Sequence, residues 1–174
     1  MARCPICRVP HHRLGRRPVM SALVAAPRAI ARALGRASRR RLARRPAAGE
    51  WSVTEVLGHL LDAELTLGFR IRKLAAESGA AVVAWDQDRW TDGLRHRRAD
   101  PRTLAAAYGA LRAANVDQVR RMSPGQRRAA GRHPEYGRLR VDQLLTHWAE
   151  HDLNHLEQMR SALRSGRQRS AVRR

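Results

Sequence analysis

The sequence is short of cysteine, lysine and aromatic side chains, and it has no long apolar run; each shortage excludes something. The two cysteines, Cys4 and Cys7, form a single CPIC near the start, followed by His11 and His12. This looks like half a zinc ribbon, but the segment is short, rich in arginine and without a hydrophobic partner. One CxxC on its own is a weak signal, so we expect no ordered zinc knuckle. Aromatic residues make up 4% of the chain against 43% hydrophobic. A core of Leu, Val and Ala follows, and it suits packed helices better than a β-sandwich. Lys73 is the only lysine among 35 basic residues, which reads as the codon bias of a GC-rich genome rather than as phosphate chemistry. No stretch approaches the roughly 20 apolar residues of a membrane span. Val19–Ala26 is too short and wrongly flanked for a signal peptide. The arginine-rich start mimics a transit peptide but continues into a plausible first helix. A cytoplasmic protein with no membrane partner is expected.

Acidic residues are also absent from both ends. All 15 lie between Glu50 and Leu163, where they nearly balance the basic residues; the net charge of +20 therefore sits in residues 1–49 and 164–174. A nucleic-acid binder would more often carry its basic face on the folded domain. Nucleic acid is thus expected as a partner only weakly, through salt-dependent contacts of the tails. At 174 residues the chain is one domain with a real core. We read residues 1–19 as a disordered Arg-rich extension, 20–163 as the domain and 164–174 as a disordered basic tail.

What is present is helical periodicity. A first helix is predicted from about Ser21 to Ala43, with Pro27 near its first turn, Gly35 weakening it and Pro46 closing it. The second begins at a capping box, Ser52 with Glu55, which satisfies orphan amides at the helix start. It carries Val53, Val56, Leu57, Leu60, Leu67, Ile71 and Leu74 at helical spacing and stops at Gly79. Residues 80–100 form an irregular crossover with a short helical turn. Asp100-Pro101 opens a third helix, which ends before Ser123-Pro124-Gly125. The segment GRHPEYGRL reads as a turn-rich loop, and the last helix runs from Val141 to Leu163. Four helices, one long crossover between the second and third, and no strand-like alternation predict an all-α four-helix bundle.

The last helix carries the chemistry. His147, His151 and His155 follow one another at four-residue intervals. At about 100° per residue His151 and His155 share a stripe with Leu144, Trp148 and Met159, and His147 sits nearer its edge. Two imidazoles one turn apart can hold a single ion, or can form a hydrogen-bonded pair of core histidines. Asp152 replaces the glutamate of an HExxH, so a zincin is not indicated. In the second helix Glu64 falls near the centre of the apolar stripe, where an unpaired carboxylate would cost several kcal/mol. It needs a partner, such as an arginine of a neighbouring helix, or a ligand. His59 lies on the flank of the same stripe.

WSVTEVLGHLLDAE, WDQDRW, HPEYGRLRVDQLL and HWAEHDLNHLEQM, in that order, resemble the DinB-like superfamily of bacterial four-helix bundles, from about Ser21 to Leu163. That superfamily includes bacillithiol transferases and mycothiol-dependent enzymes such as maleylpyruvate isomerase. The resemblance implies one divalent metal ion held by His59, His151 and His155, and a homodimer. Three neutral imidazoles leave a coordination position open, as in catalytic sites; zinc and nickel both suit them. Without a cysteine in the bundle the nucleophile must come from outside, as a low-molecular-weight thiol or as water. The expected activity is thiol transfer to a small electrophile. Metal-dependent hydrolysis is the enzymatic alternative, a stress-related binding or sensor protein the non-catalytic one, and a decayed metal site within an intact fold the third. Glu64 and Glu150 are candidate general bases; for Glu150 the competing reading is a solvated helix face. Asp152 is a candidate to orient a ligand histidine or to pair with a buried arginine. His133 and His147 read as structural or exposed, Trp85, Trp90 and Trp148 as core, and Tyr136 as a residue that could shape a pocket mouth.

Overall fold

The structure is a computed structural model that describes residues 13–171. The first helix, α1 (Val19–Leu34), is followed after Gly35 by one short turn, α2 (Arg39–Leu42). The sequence reading joined the two. The chain breaks at Gly35, which takes a positive φ of 49°, a backbone state that favours glycine. Pro27 lies in the middle of α1, not in its first turn. Proline has no N–H, so the carbonyl of Leu23 loses its helical donor. Arg112 supplies one instead: its Nη1 donates to Leu23 O at 3.2 Å.

The second long helix, α3 (Val53–Ala76), starts at the expected capping box. The Glu55 carboxylate accepts from Ser52 N at 2.7 Å and is also paired with Arg45. The crossover contains α4 (Gln87–Gly93) and a 3-10 turn at His96–Arg98. The third long helix, α5 (Pro101–Arg121), is capped by Asp100, whose carboxylate accepts from Thr103 N at 2.9 Å. A short α6 (Pro124–Arg128) leads to the fourth, α7 (Val141–Ala171), which continues past the predicted end at Leu163 into the segment read as a tail.

α1 packs against α5 and α7, and α3 packs against the same two. Helices α1 and α3 therefore stand at opposite corners of the bundle, as do α5 and α7. In a simple up-down bundle with short loops, successive helices are neighbours; here the connections from α1 to α3 and from α5 to α7 cross between corners.

The segment before the last helix also departs from its prediction. The segment read as a loop is a β-hairpin, β1 (Ala130–His133) against β2 (Gly137–Arg140), antiparallel with Ala130 opposite Arg140. Its strands are four residues each, too short for a period of two to be recognised. The start of the crossover adds to it, with Val82 N donating to Arg132 O at 2.9 Å and Arg132 N to Ala80 O at 3.0 Å. Gly131 makes this approach possible: a Cβ there would lie 2.2 Å from Ala80 O.

Two apolar clusters fill the bundle. One gathers Leu67, Ile71, Val116, Leu144 and Trp148, the other Ile30, Leu57, Leu60, Tyr108, Leu156 and Met159. Close to where each of α3, α5 and α7 passes from one cluster to the other it carries buried polar residues: His59 and Glu64 on α3, Arg112 on α5, His151 and Asp152 on α7. No helix among the described residues is long and apolar enough to cross a membrane.

Candidate metal centre

The capping box fixes where α3 begins, and with it the rotation that turns His59 towards α7. There His151 and His155 present their rings one turn apart. The structure brings the three together. His59 Nε2 lies 2.9 Å from His151 Nε2, and His155 Nε2 lies 3.1 Å from the same atom. Three imidazoles around one tetrahedral zinc, with bonds of about 2.0–2.1 Å, would place their nitrogens roughly 3.3 Å apart. The two distances to His151 are within a few tenths of an ångström of that, and all three ligand atoms lie within 4.8 Å of one another.

The proton count favours a cation. His155 Nδ1 donates to Gln158 Oε1 at 2.7 Å, so the neutral ring directs its Nε2 lone pair at the cluster. His151 Nε2 faces two nitrogens and can carry only one proton between them. Burial holds His59 and His151 well below the ordinary histidine pKa, and each is lowered further by the neighbouring histidines. Burial lowers His155 as well, against the pull of Gln158. Neutral imidazole is the form that binds metal. The group is the set of His, Cys, Asp and Glu side chains among the described residues that could hold an ion. Only His155 has its outer nitrogen engaged; His59 and His151 leave Nδ1 buried without a partner, whereas metal-bound histidines commonly donate that N–H to an acceptor.

Aromatic rings enclose the cluster. Trp85 stacks on His59 with centroids 5.4 Å apart and planes 13° from parallel, Trp90 meets Trp85 edge-on, and Trp51 lies 5.0 Å from His59. Trp85 is therefore a wall of the site and not simply core, while Trp148 is core. Trp51, beside the α3 cap, escaped the sequence reading because its position before the helix gives it no periodic signal.

In front of His59 and His151 a cavity of about 310 Å³ is lined by residues of α3, the crossover, the hairpin and α7. His133, His147 and Tyr136 line it, so the two histidines read as structural or exposed belong to the pocket. Both are buried. His133 Nδ1 accepts from Glu135 N at 3.2 Å, and His147 packs with its ring centroid 5.6 Å from that of His151.

The three candidate carboxylates are placed elsewhere, and none lines this cavity. Glu64 is fully buried against Arg112, which reaches its two oxygens with Nε at 3.0 and 2.9 Å, and Asn115 donates to it at 2.7 Å. This is the partner its position demanded. Asp152 takes the other side of the same guanidinium, at 2.5 Å from Nη1. Burial opposes the charge of Arg112, but Asp152 and Glu64 outweigh it and raise its pKa. Glu150 is not on a solvated face: it is buried and accepts the backbone amides of Arg13 at 3.2 Å and Leu14 at 3.0 Å. The end of the predicted extension thus lies along α7. A second buried pair that the sequence reading missed, His96 Nε2 with Asp62 Oδ2 at 2.6 Å, packs against Gly58, next to His59. The cysteine pair and the two histidines after it lie outside the described residues.

The profile of the DinB superfamily matches residues 22–159. No curated protein matches the chain. Among solved structures, the chain is similar to YfiT from Bacillus subtilis, with a TM-score of 0.79 and 20% identity over 84% of each chain. That protein is described as "a probable metal-dependent hydrolase with an unusual four-helix bundle topology".

Proposed function

The chain belongs to the DinB superfamily, and from that premise we propose that it is a metal-dependent enzyme whose ion is held by Nε2 of His59, His151 and His155. The observation that carries this reading is the convergence of the three Nε2 atoms, at 2.9 and 3.1 Å, with too few protons to satisfy them. Zinc and nickel both suit three imidazoles. When bound, such an ion supplies Lewis acidity at an open position, bringing the pKa of a thiol or water towards neutrality.

The residues present favour a thiol over water. A thiol ionises near pH 8.5 in water, far below bulk water, so at an open metal position it reaches its nucleophilic form with less help. The carboxylates singled out as possible bases, Glu64, Glu150 and Asp152, are all committed to other partners, and of the two that line the cavity Asp86 caps α4 and Glu135 is exposed to solvent. We therefore place transfer of a low-molecular-weight thiol to a small electrophile first. Hydrolysis comes second, favoured by the similarity to YfiT. Trp85 and Trp51 hold the ring of His59 from two sides and restrict water around it.

The test is elemental analysis of the purified protein and of His155→Ala, followed by thiol-consumption and ester-hydrolysis assays. We expect one equivalent of metal in the parent and almost none in the variant, with thiol consumption lost in parallel. A variant that retains full metal sinks the site. Hydrolysis without thiol consumption moves the second reading to first.

A further inference from the structure

Two arginines are buried in this protein to the same degree, Arg70 at 2% exposure and Arg112 at 1%. Arg112 has two carboxylates. Arg70 has none: among the described residues its only hydrogen bonds run from Nε, at 3.1 Å, and Nη2 to the carbonyl oxygen of Val83. A buried guanidinium left without a counter-charge is costly, and one backbone carbonyl does not require a full positive charge to hold it. The carboxylates nearest in the same cavity do not meet the need. Asp86 caps α4, accepting from Asp88 N and Arg89 N at 3.1 and 3.0 Å. Glu135, exposed at the tip of the hairpin, attracts Arg70 but forms no ion pair with it, and burial outweighs that attraction.

Arg70 also lines the cavity that opens on the metal centre. Residues 59, 63, 67 and 70 follow at intervals of four, four and three, so they form one stripe of α3. His59 begins that stripe, small Ala63 and Leu67 make its floor, and Arg70 ends it. The two ends are 11 residues, or about 16 Å of helix rise, apart. Its guanidinium is held on the carbonyl of Val83, two residues before Trp85, the ring that stacks on His59.

We propose that Arg70 is the anion-binding residue of this pocket, so that the substrate is a small elongated molecule with its reactive end at the histidines and a carboxylate or other oxyanion at Arg70. This rests on the metal-enzyme reading for the reactive end, and on Arg70 alone for the anionic end. The planar fork, with Nε and Nη2 committed to Val83, leaves Nη1 and one Nη2 proton for an oxyanion. The histidine end selects for chemistry; the arginine end selects for charge.

The test is calorimetric titration of the full chain with pentanoate, its neutral counterpart pentanamide and inorganic phosphate, with metal content measured on the same samples. We expect an anion to bind and the amide not to. Preference for pentanoate assigns a carboxylate, preference for phosphate a phosphoryl group. Arg70→Met should weaken anion binding by at least about tenfold, as for the loss of a charged hydrogen bond, with metal unchanged. Arg70→Lys, which keeps the charge but not the fork, should give an intermediate loss; it also serves if the Met variant does not fold. Equal binding of pentanoate and pentanamide without phosphate binding, or undiminished anion binding by both variants, overturns the proposal and leaves the metal site standing. Metal-free parent protein that still binds anions through Arg70 sinks the enzyme reading and leaves this one.

Discussion

At the scale of single residues, the bundle is organised around where its few buried charges find partners. Arg112 touches Glu64, Asp152 and the carbonyl freed by Pro27, and its guanidinium lies 5.0 Å from the ring centre of Tyr108 and 4.8 Å from that of Trp148. One side chain thus ties α1, α3, α5 and α7. Removing it leaves two buried carboxylates with no cation between them, a situation that typically costs 3–5 kcal/mol. Arg112→Met should therefore lower the unfolding free energy by about that amount in urea titrations, one of the largest effects of any single substitution here. A loss below about 1 kcal/mol would show that the cluster is not holding the helices together. Glu64 illustrates what was readable beforehand. Its place on an apolar stripe said that it needed a partner, but nothing in the sequence singled out Arg112 from 17 basic residues in the same region.

At the scale of elements, the long helices were legible because their signals are local. Ser52 with Glu55, Asp100 with Pro101, and apolar residues at helical spacing each act within one or two turns. The misreadings share the opposite property. The hairpin 130–140 has strands too short for periodicity and depends on the crossover strand that lies beside it. The continuity of α1 through Pro27 depends on Arg112 of α5, which donates to the carbonyl that proline frees. Gly131 lies against both the crossover and α3, with Ala80 O and Leu74 Cδ2 each 2.2 Å from where a Cβ would be. Backbone cannot yield as a flexible side chain can. Gly131→Ala should therefore destabilise by about 1–3 kcal/mol, the usual cost of overpacking. It should also displace the hairpin tip that carries His133 and Tyr136, visible as altered Trp85 fluorescence. Wild-type stability in that variant would mean that the two segments separate easily.

At the scale of the whole molecule, the three-histidine cluster links α3 to α7, helices that the chain brings together only after the crossover and α5. An ion that binds the folded state alone stabilises it by RT ln(1 + [L]/Kd), about 2.7 kcal/mol at 100 times Kd. Chelation should lower the Tm, and zinc or nickel should restore it. The chelated protein should also show a pH dependence of known sign. His59 and His151 are held below their ordinary pKa by burial, whereas in the unfolded chain they titrate near 6.5. Above that value both states are neutral and stability is flat. Below it the unfolded state binds protons first, so stability falls as pH drops from 6.5 towards the depressed folded values. Urea unfolding between pH 7.5 and 5.5 in chelator measures this; a flat profile would mean that the three histidines are open to protons in the fold.

Sequence alone determined the all-α class, the caps, the helical faces and, through ordered motifs, the superfamily. These rest on interactions between residues a few positions apart, which a helix repeats regularly. Only the tertiary structure decided which side chains share a site. The convergence of His59 with His151 spans 92 positions, and the choice of Arg112 for Glu64 and Asp152 spans 48 and 40. The difference between two equally buried arginines, one paired and one facing a cavity, is also invisible along the chain. Pairing at such distances is set by how the helices cross between corners of the bundle, and local periodicity carries no record of that.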